Sequence, residues 1–141
     1  MANVIPFAFR GELFTGTHDF SSGGDQFKLA LYTANPYTTS STAYDATSEV
    51  SASGTAYTTT GNVLTGNAVA SGTAVASCDF DPSVWSSATF TAAYGAIYND
   101  DKSDKLCVVL DFSGNKTATN GTFKVSFPDP TTPADAIISM A

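Results

Sequence analysis

Lys105-Leu106-Cys107-Val108-Val109-Leu110-Asp111-Phe112 sets Leu106, Val108, Leu110 and Phe112 on one side of an extended chain and Lys105, Cys107 and Asp111 on the other. A side-chain period of two marks a strand with one apolar and one wet face. The same period runs through Phe27, Leu29 and Leu31 against Lys28, Ala30 and Tyr32, and through Phe123, Val125 and Phe127 against Thr122, Lys124 and Ser126. Between residues 88 and 98, Phe90, Tyr94 and Tyr98 fall on one side and Thr89, Thr91 and Ile97 on the other, with Gly95 a bulge or a point of close approach. Residues 136–140 read as the last strand.

Turn-forming strings separate these runs: Asn35-Pro36, Thr60-Gly61-Asn62, Ser71-Gly72, Asp81-Pro82, Asn99-Asp100-Asp101, Ser113-Gly114-Asn115, Asn120-Gly121 and Pro128-Asp129-Pro130. Short strands at this spacing predict an all-β fold, an antiparallel β-sandwich of jelly-roll-like form, with an N-terminal arm and at most one short helix. The near-repeat Gly66-Asn67-Ala68-Val69-Ala70-Ser71 and Gly72-Thr73-Ala74-Val75-Ala76-Ser77 reads as a local hairpin about a Ser-Gly turn. Residues 37–57, rich in Thr and Ser, read as an extended surface crossing. Ile5, Phe9 and Leu13 lie at helical spacing while Ile5, Phe7 and Phe9 also alternate, so residues 5–16 are expected to begin extended and become a short helix near Arg10, closed by Gly16. The division is residues 1–20 as arm and short helix, and 21–141 as a single β-sandwich domain.

The chain's 141 residues suffice to bury a core without a metal or disulfide staple. Its charged fraction of 13% is low while 43% is apolar, which excludes a disordered chain and a coiled coil. Six basic against thirteen acidic residues leave a net charge of −7, the wrong sign for capturing a phosphate backbone, so nucleic acid is not an expected partner. Neither a signal peptide nor an apolar run of membrane-helix length is expected, and hence no membrane partner. Cys78 and Cys107 read as two buried thiols, with pairing left open by a separation that neighbouring strands could span.

Each chemical reading of the residues has a plainer counterpart. A Ser-His-Asp system would have to use His18, the one histidine, yet Thr17-His18-Asp19 fits a turn or cap and no Ser sits in a nucleophile elbow. Asp79 and Asp81, at i and i+2, would project from one strand face roughly 7 Å apart, the spacing of a glycosidase carboxylate pair and also of a strand ending in a polar turn. Residues 99–104 hold carboxylates enough for calcium but lack the EF-hand ligand periodicity, and read as a solvated hairpin loop. The sequons at Asn115 and Asn120 read as turns. No catalytic, cofactor-binding or metal-ligating residue is assigned, and no cofactor is expected. Trp85, or Tyr37, Tyr44 and Tyr57, would be the stacking platform if a sugar is bound, with Trp85 otherwise in the core. Ile5, Phe7, Phe9, Arg10, Leu13 and Phe14 are the candidate interface, because the arm is more apolar than a surface terminus tolerates; the alternative is that it closes its own sandwich.

Several strings in order carry a resemblance: Gly16-Thr17-His18-Asp19-Phe20, Asp25-Gln26-Phe27-Lys28-Leu29-Ala30-Leu31-Tyr32-Thr33, Thr42-Ala43-Tyr44, Glu49-Val50 and Trp85-Ser86-Ser87-Ala88-Thr89-Phe90-Thr91-Ala92. Gly95-Ala96-Ile97-Tyr98-Asn99, Val108-Val109-Leu110-Asp111-Phe112, Lys116-Thr117 and Gly121-Thr122-Phe123-Lys124-Val125-Ser126-Phe127-Pro128 continue it. Over residues 10–139 the chain resembles a family of small tailed-bacteriophage and prophage virion structural proteins. The resemblance implies a β-sandwich decoration or cement protein, made in the host cytoplasm and carried on the capsid exterior, with no catalytic residues to carry over. The expected partners are the major capsid protein and further copies of the chain, as a trimer or dimer. A tail, baseplate or fibre protein that contacts virion partners or a host glycan is the alternative. Cys78 and Cys107 lie outside the resemblance.

Overall fold

The alternating runs become strands in the structure, a computed structural model that describes residues 3–128 and 137–140. Strands β1 (Phe27–Tyr32), β2 (Asn62–Val63), β5 (Ser83–Asn99) and β6 (Lys105–Val125) form an antiparallel sheet in the order β2-β1-β5-β6. Strands β3 (Ala68–Ser71), β4 (Ala76–Asp79) and β7 (Ile138–Met140) form a second antiparallel sheet in the order β3-β4-β7. One eight-residue helix, α1 (Phe7–Phe14), precedes them. The fold is all-β, and its sandwich-like character lies in a shared core: Phe27, Leu29 and Leu31 of the larger sheet and Cys78 and Ile138 of the smaller belong to one apolar cluster. Of the expected last strand, residue 136 lies outside the described residues, as do 129 and 130 of the expected turn at 128–130.

The runs at 106–112 and 122–127 are not two strands. Residues 106–112 and 122–125 belong to the single 21-residue β6, which pairs with the 17-residue β5 along its length, from Asn99↔Lys105 to Ser83↔Val125, and Ser126 and Phe127 lie beyond its end. The expected turns Ser113-Gly114-Asn115 and Asn120-Gly121 are irregularities inside that strand, where Ser113, Gly114 and Asn120 take φ of 57°, 111° and 48°. Between Tyr94↔Asp111 and Ala92↔Lys116, β5 advances two residues while β6 advances five. Extra residues in one strand bend and twist the ladder. The hairpin thereby curls, so that Leu110 and Val125, fifteen positions apart, join the same core cluster.

These irregularities also correct the assignment of faces. Ile97 pairs with Val108 but Tyr98 pairs with Leu106, leaving Cys107 as the extra residue. Cys107 and Val108 consequently share the main cluster with Leu110, while Leu106 and Val109 join a second cluster with Ala30, Tyr32, Ala96 and Tyr98. The shift at Ala92/Tyr94 likewise sends Phe90 to the main cluster and Tyr94 to the second, and reverses Ile97 relative to the expected pattern. Gly95 is a close-approach point: a Cβ there would meet Leu29 Cδ1 and Phe112 Cζ at 3.1 Å each.

No wet face remains on β1, whose residues are buried except for Lys28. The reason is the segment from 37 to 57, which is not merely a surface crossing. Tyr37 and Tyr44 cover the second cluster, and Val50 and Tyr57 enter the first, with Val50 N–H donating to Leu31 O at 2.9 Å. The near-repeat does form an antiparallel hairpin, Ser71↔Ala76 to Ala68↔Asp79, but its turn is centred further on, with Gly72 N–H donating to Val75 O at 2.8 Å.

Candidate functional site

Helix α1 is the element through which most of the candidate residues act. It begins at Phe7 rather than near Arg10, because Pro6 supplies an extended N-cap and Phe7 N–H is taken by Thr39 O at 2.9 Å. It ends at Phe14 and is closed, as expected, by Gly16, whose φ of 68° allows Gly16 N–H to reach Leu13 O and Thr17 N–H to reach Glu12 O, the paired bonds of a Schellman cap. The arm then divides by side chain. Phe9 is fully buried, 6.0 Å edge-on to Phe20, and Ile5 and Leu13 pack against the core. Phe7 is 58% exposed and Phe14 94% exposed. The Arg10 guanidinium lies 5.2 Å over the Phe7 ring and donates to Ile5 O at 3.1 Å. Leu13 also borders an apolar slot of about 120 Å³ with Val69 and Met140, both about half exposed.

Beneath α1 lies a polar knot that the spacing of residues did not signal. Glu12 accepts from Lys105 Nζ at 2.7 Å and from His18 Nε2 at 2.8 Å. Asn99 Nδ2 donates to His18 Nδ1 and to Asp25 Oδ2, both at 2.9 Å. The Asp25 carboxylate needs a donor, so it fixes the orientation of the Asn99 amide, with its Nδ2 toward both Asp25 and His18 Nδ1. Burial pushes the Glu12 carboxyl up, but the bonds from Lys105 and His18 outweigh it and leave Glu12 below the ordinary value. Asp25 is lowered in the same way, by Asn99 and the Asp19 amide against burial. These residues come from sequence positions 12 to 105, so only the fold brings them together.

Cys107 Sγ lies 4.0 Å from His18 Nδ1, which with Glu12 makes a thiol, an imidazole and a carboxylate in series. The sulfur instead donates to Lys105 O at 3.6 Å, is fully buried, and is raised well above the ordinary thiol value, chiefly by burial. A nucleophilic cysteine needs thiolate character and access. Neither holds for this thiol, and the chemistry the knot performs is to tie α1 to β6 and to the β5–β6 connection. Cys78 is likewise a free, buried thiol, pushed by burial up to about 12.

The remaining sequence candidates separate. Asp79 closes β4, and Asp81 lies beyond the buried Phe80 with its carboxylate packed against Gly66. The loop carboxylates at 100 and 101 turn back to hold the start of β1: Asp100 pairs with Lys28 at 3.0 Å, and Asp101 accepts the Gln26 amide at 2.7 Å. Asn115 and Asn120 are exposed within β6. Among the described residues, no group of three or more His, Cys, Asp or Glu side chains is placed to hold a metal ion, and no helix is long and apolar enough to cross a membrane.

The proposed sugar platform is overturned. Tyr37, Tyr57 and Trp85 are buried, and Tyr44 is half-buried. Their hydroxyls are spent inside the protein: Tyr44 and Tyr57 both donate to Glu49 at 2.6 Å, and Tyr37 meets Tyr32 at 2.7 Å. Desolvation raises the Tyr32, Tyr37 and Tyr57 phenols, so they hold the crossing down as neutral hydrogen-bonding groups. Compared with known proteins, the chain matches no family model, no curated protein and no solved structure.

Proposed function

We propose that this chain is a structural protein of a bacteriophage virion, a capsid decoration protein that binds the exterior of an assembled shell and stabilises it. The observation that carries the reading is the helix α1, fixed from below by Phe9 and by the Glu12 pairs, which holds the rings of Phe7 and Phe14 out in solvent. Exposed aromatic surface is unfavourable to a lone protein and is a recurrent feature of docking sites. Here its ordering cost is low, because the helix is already in place before any partner arrives. The resemblance of the ordered strings to those of small virion proteins supports the same reading.

The partner is the major capsid protein, and a trimer or dimer of this chain engages several equivalent lattice sites. Weak contacts then add through effective concentration. Binding the assembled lattice in preference to free subunits raises the shell's resistance to heat by linkage. The test is to add the Phe7→Ser/Phe14→Ser variant, alongside the unaltered protein, to capsids prepared without it. The variant is expected to fold, with lower occupancy and a lower shell melting temperature. Equal occupancy, or labelled copies found at the tail and not on the head, overturns the proposal.

A further inference from the structure

The ionic partners of this chain leave a remainder. Of its six cationic side chains, Lys28 pairs with Asp100, Lys102 with Asp25 and Lys105 with Glu12, while Arg10 caps Ile5 and covers Phe7. Lys116 and Lys124 take part in no ion pair or hydrogen bond among the described residues. Both line one open groove of about 640 Å³, whose apolar wall includes Phe112, Phe123 and Phe127. The groove exists because β6 curls: its earlier part, near Phe112, and its later part, near Phe123, border the same space.

A chain of net charge −7 thus concentrates its two uncommitted positive charges beside aromatic surface. Asp111 also lines the groove, but it is engaged, accepting the Ser113 amide at 2.8 Å, and among the described residues that line the groove two lysines stand against one aspartate. No residue of α1 lines it.

We infer that this groove is a docking site for an extended acidic segment of a partner protein, one that alternates carboxylate with apolar side chains. The carboxylates meet Lys116 and Lys124 while the apolar side chains lie on the phenylalanine wall. Alternation of this kind is what an extended segment presents to a surface with both features. The inference rests on the reading that the chain works by lying against other proteins, and it concerns a different surface from α1.

The experiment titrates the full, isotope-labelled chain with an extended peptide of about ten residues alternating Glu with Val, followed by amide chemical shifts. Saturable shifts confined to residues 110–127 are expected, weakening as salt is raised. The Lys116→Gln/Lys124→Gln variant should keep its spectrum and lose roughly fivefold to tenfold in affinity. An alternating Lys and Val peptide should not bind. The inference falls if no saturable shift appears, whether the groove stays empty or is filled by the chain's own residues 129–136. It falls equally if the double variant or the Lys peptide binds as well, or if glucuronate shifts the same amides while the peptide does not. Because α1 is untouched, an unaltered chain that binds no peptide yet coats capsids at normal occupancy would sink this inference alone.

Discussion

Glu12 shows how one side chain can commit a helix to a sheet. It sits on α1, takes a proton donor from Lys105 on β6, and another from His18, which Asn99 at the end of β5 holds from the far side. Its carboxyl is below the ordinary value in the folded chain, despite the opposing effect of burial. A depressed carboxyl contributes stability that is present above the unfolded value, near pH 4.3, and is lost as pH falls through the folded value. Glu12→Gln keeps one acceptor and removes the charge, so at pH 7 it is expected to lower unfolding free energy by about 2 kcal/mol, the worth of a charge-assisted bond. Urea titrations of the two proteins should diverge at pH 7 and converge toward pH 3. A gap that stays constant across that range would show that the charge on Glu12 is not what holds the knot. His18 shows the limit of reading residues in order: the Thr17-His18-Asp19 string gave a turn, and Asp19 does bind the Ser21 amide at 3.0 Å. The imidazole, however, is bonded by Asn99, 81 positions away, and no local spacing encodes that.

At the scale of elements, alternation was read correctly as strand, correctly as face along Phe27, Leu29 and Leu31, and incorrectly as face where a bulge intervenes, as at Leu106 and Phe90. The runs read as strands over 27–32, 88–98, 106–112 and 122–125 lie in strands, because an extended chain buries apolar side chains at i and i+2 together. What the pattern could not carry was the position of the bulges, since one extra residue reverses every side chain beyond it. The Ser and Asn positions that signalled turns were accurate about backbone conformation: Ser113 and Asn120 are left-handed. They misled about topology, because a left-handed residue serves a bulge as well as a hairpin. The arm's division into buried and exposed rings was beyond the sequence for a similar reason, as Ile5, Phe7 and Phe9 fit both periods. Helix α1 now gives a paired prediction. Gly11 lies mid-helix with nothing within 4 Å of where a Cβ would stand, so Gly11→Ala should stabilise by about 0.5 to 1 kcal/mol. Phe9→Ala should destabilise by about 3 to 5 kcal/mol through the cavity it leaves. Thermal melts of both variants check this; a neutral Phe9→Ala would mean that α1 is an appendage of the core and not part of it.

The whole molecule is joined by rings. Phe9 meets Phe20, Phe20 stacks on Phe27 at 4.3 Å, Phe27 meets Phe80 at 5.6 Å, and Phe80 meets Phe127 at 5.9 Å. A second group sets Trp85 between Tyr57, Phe90 and Phe123, and both groups fall within one apolar cluster. That cluster draws on α1, both sheets and the crossing segment, so removing any one contributor exposes apolar surface on the others. Unfolding should therefore be a single cooperative event. Trp85 is the only tryptophan and is 3% exposed, which makes its fluorescence a reporter of one end of the cluster, while backbone circular dichroism reports the whole. In urea the two signals are expected to share a midpoint. The sharper form uses Phe9→Ala, which alters the opposite ring group: it should move the Trp85 midpoint and the backbone midpoint by the same amount. If instead Trp85 kept its original midpoint while the backbone signal shifted or split, α1 and its neighbours would be a separately melting unit. A helix that melts by itself would not hold Phe7 and Phe14 in place before contact, and the low ordering cost on which docking through α1 depends would be lost.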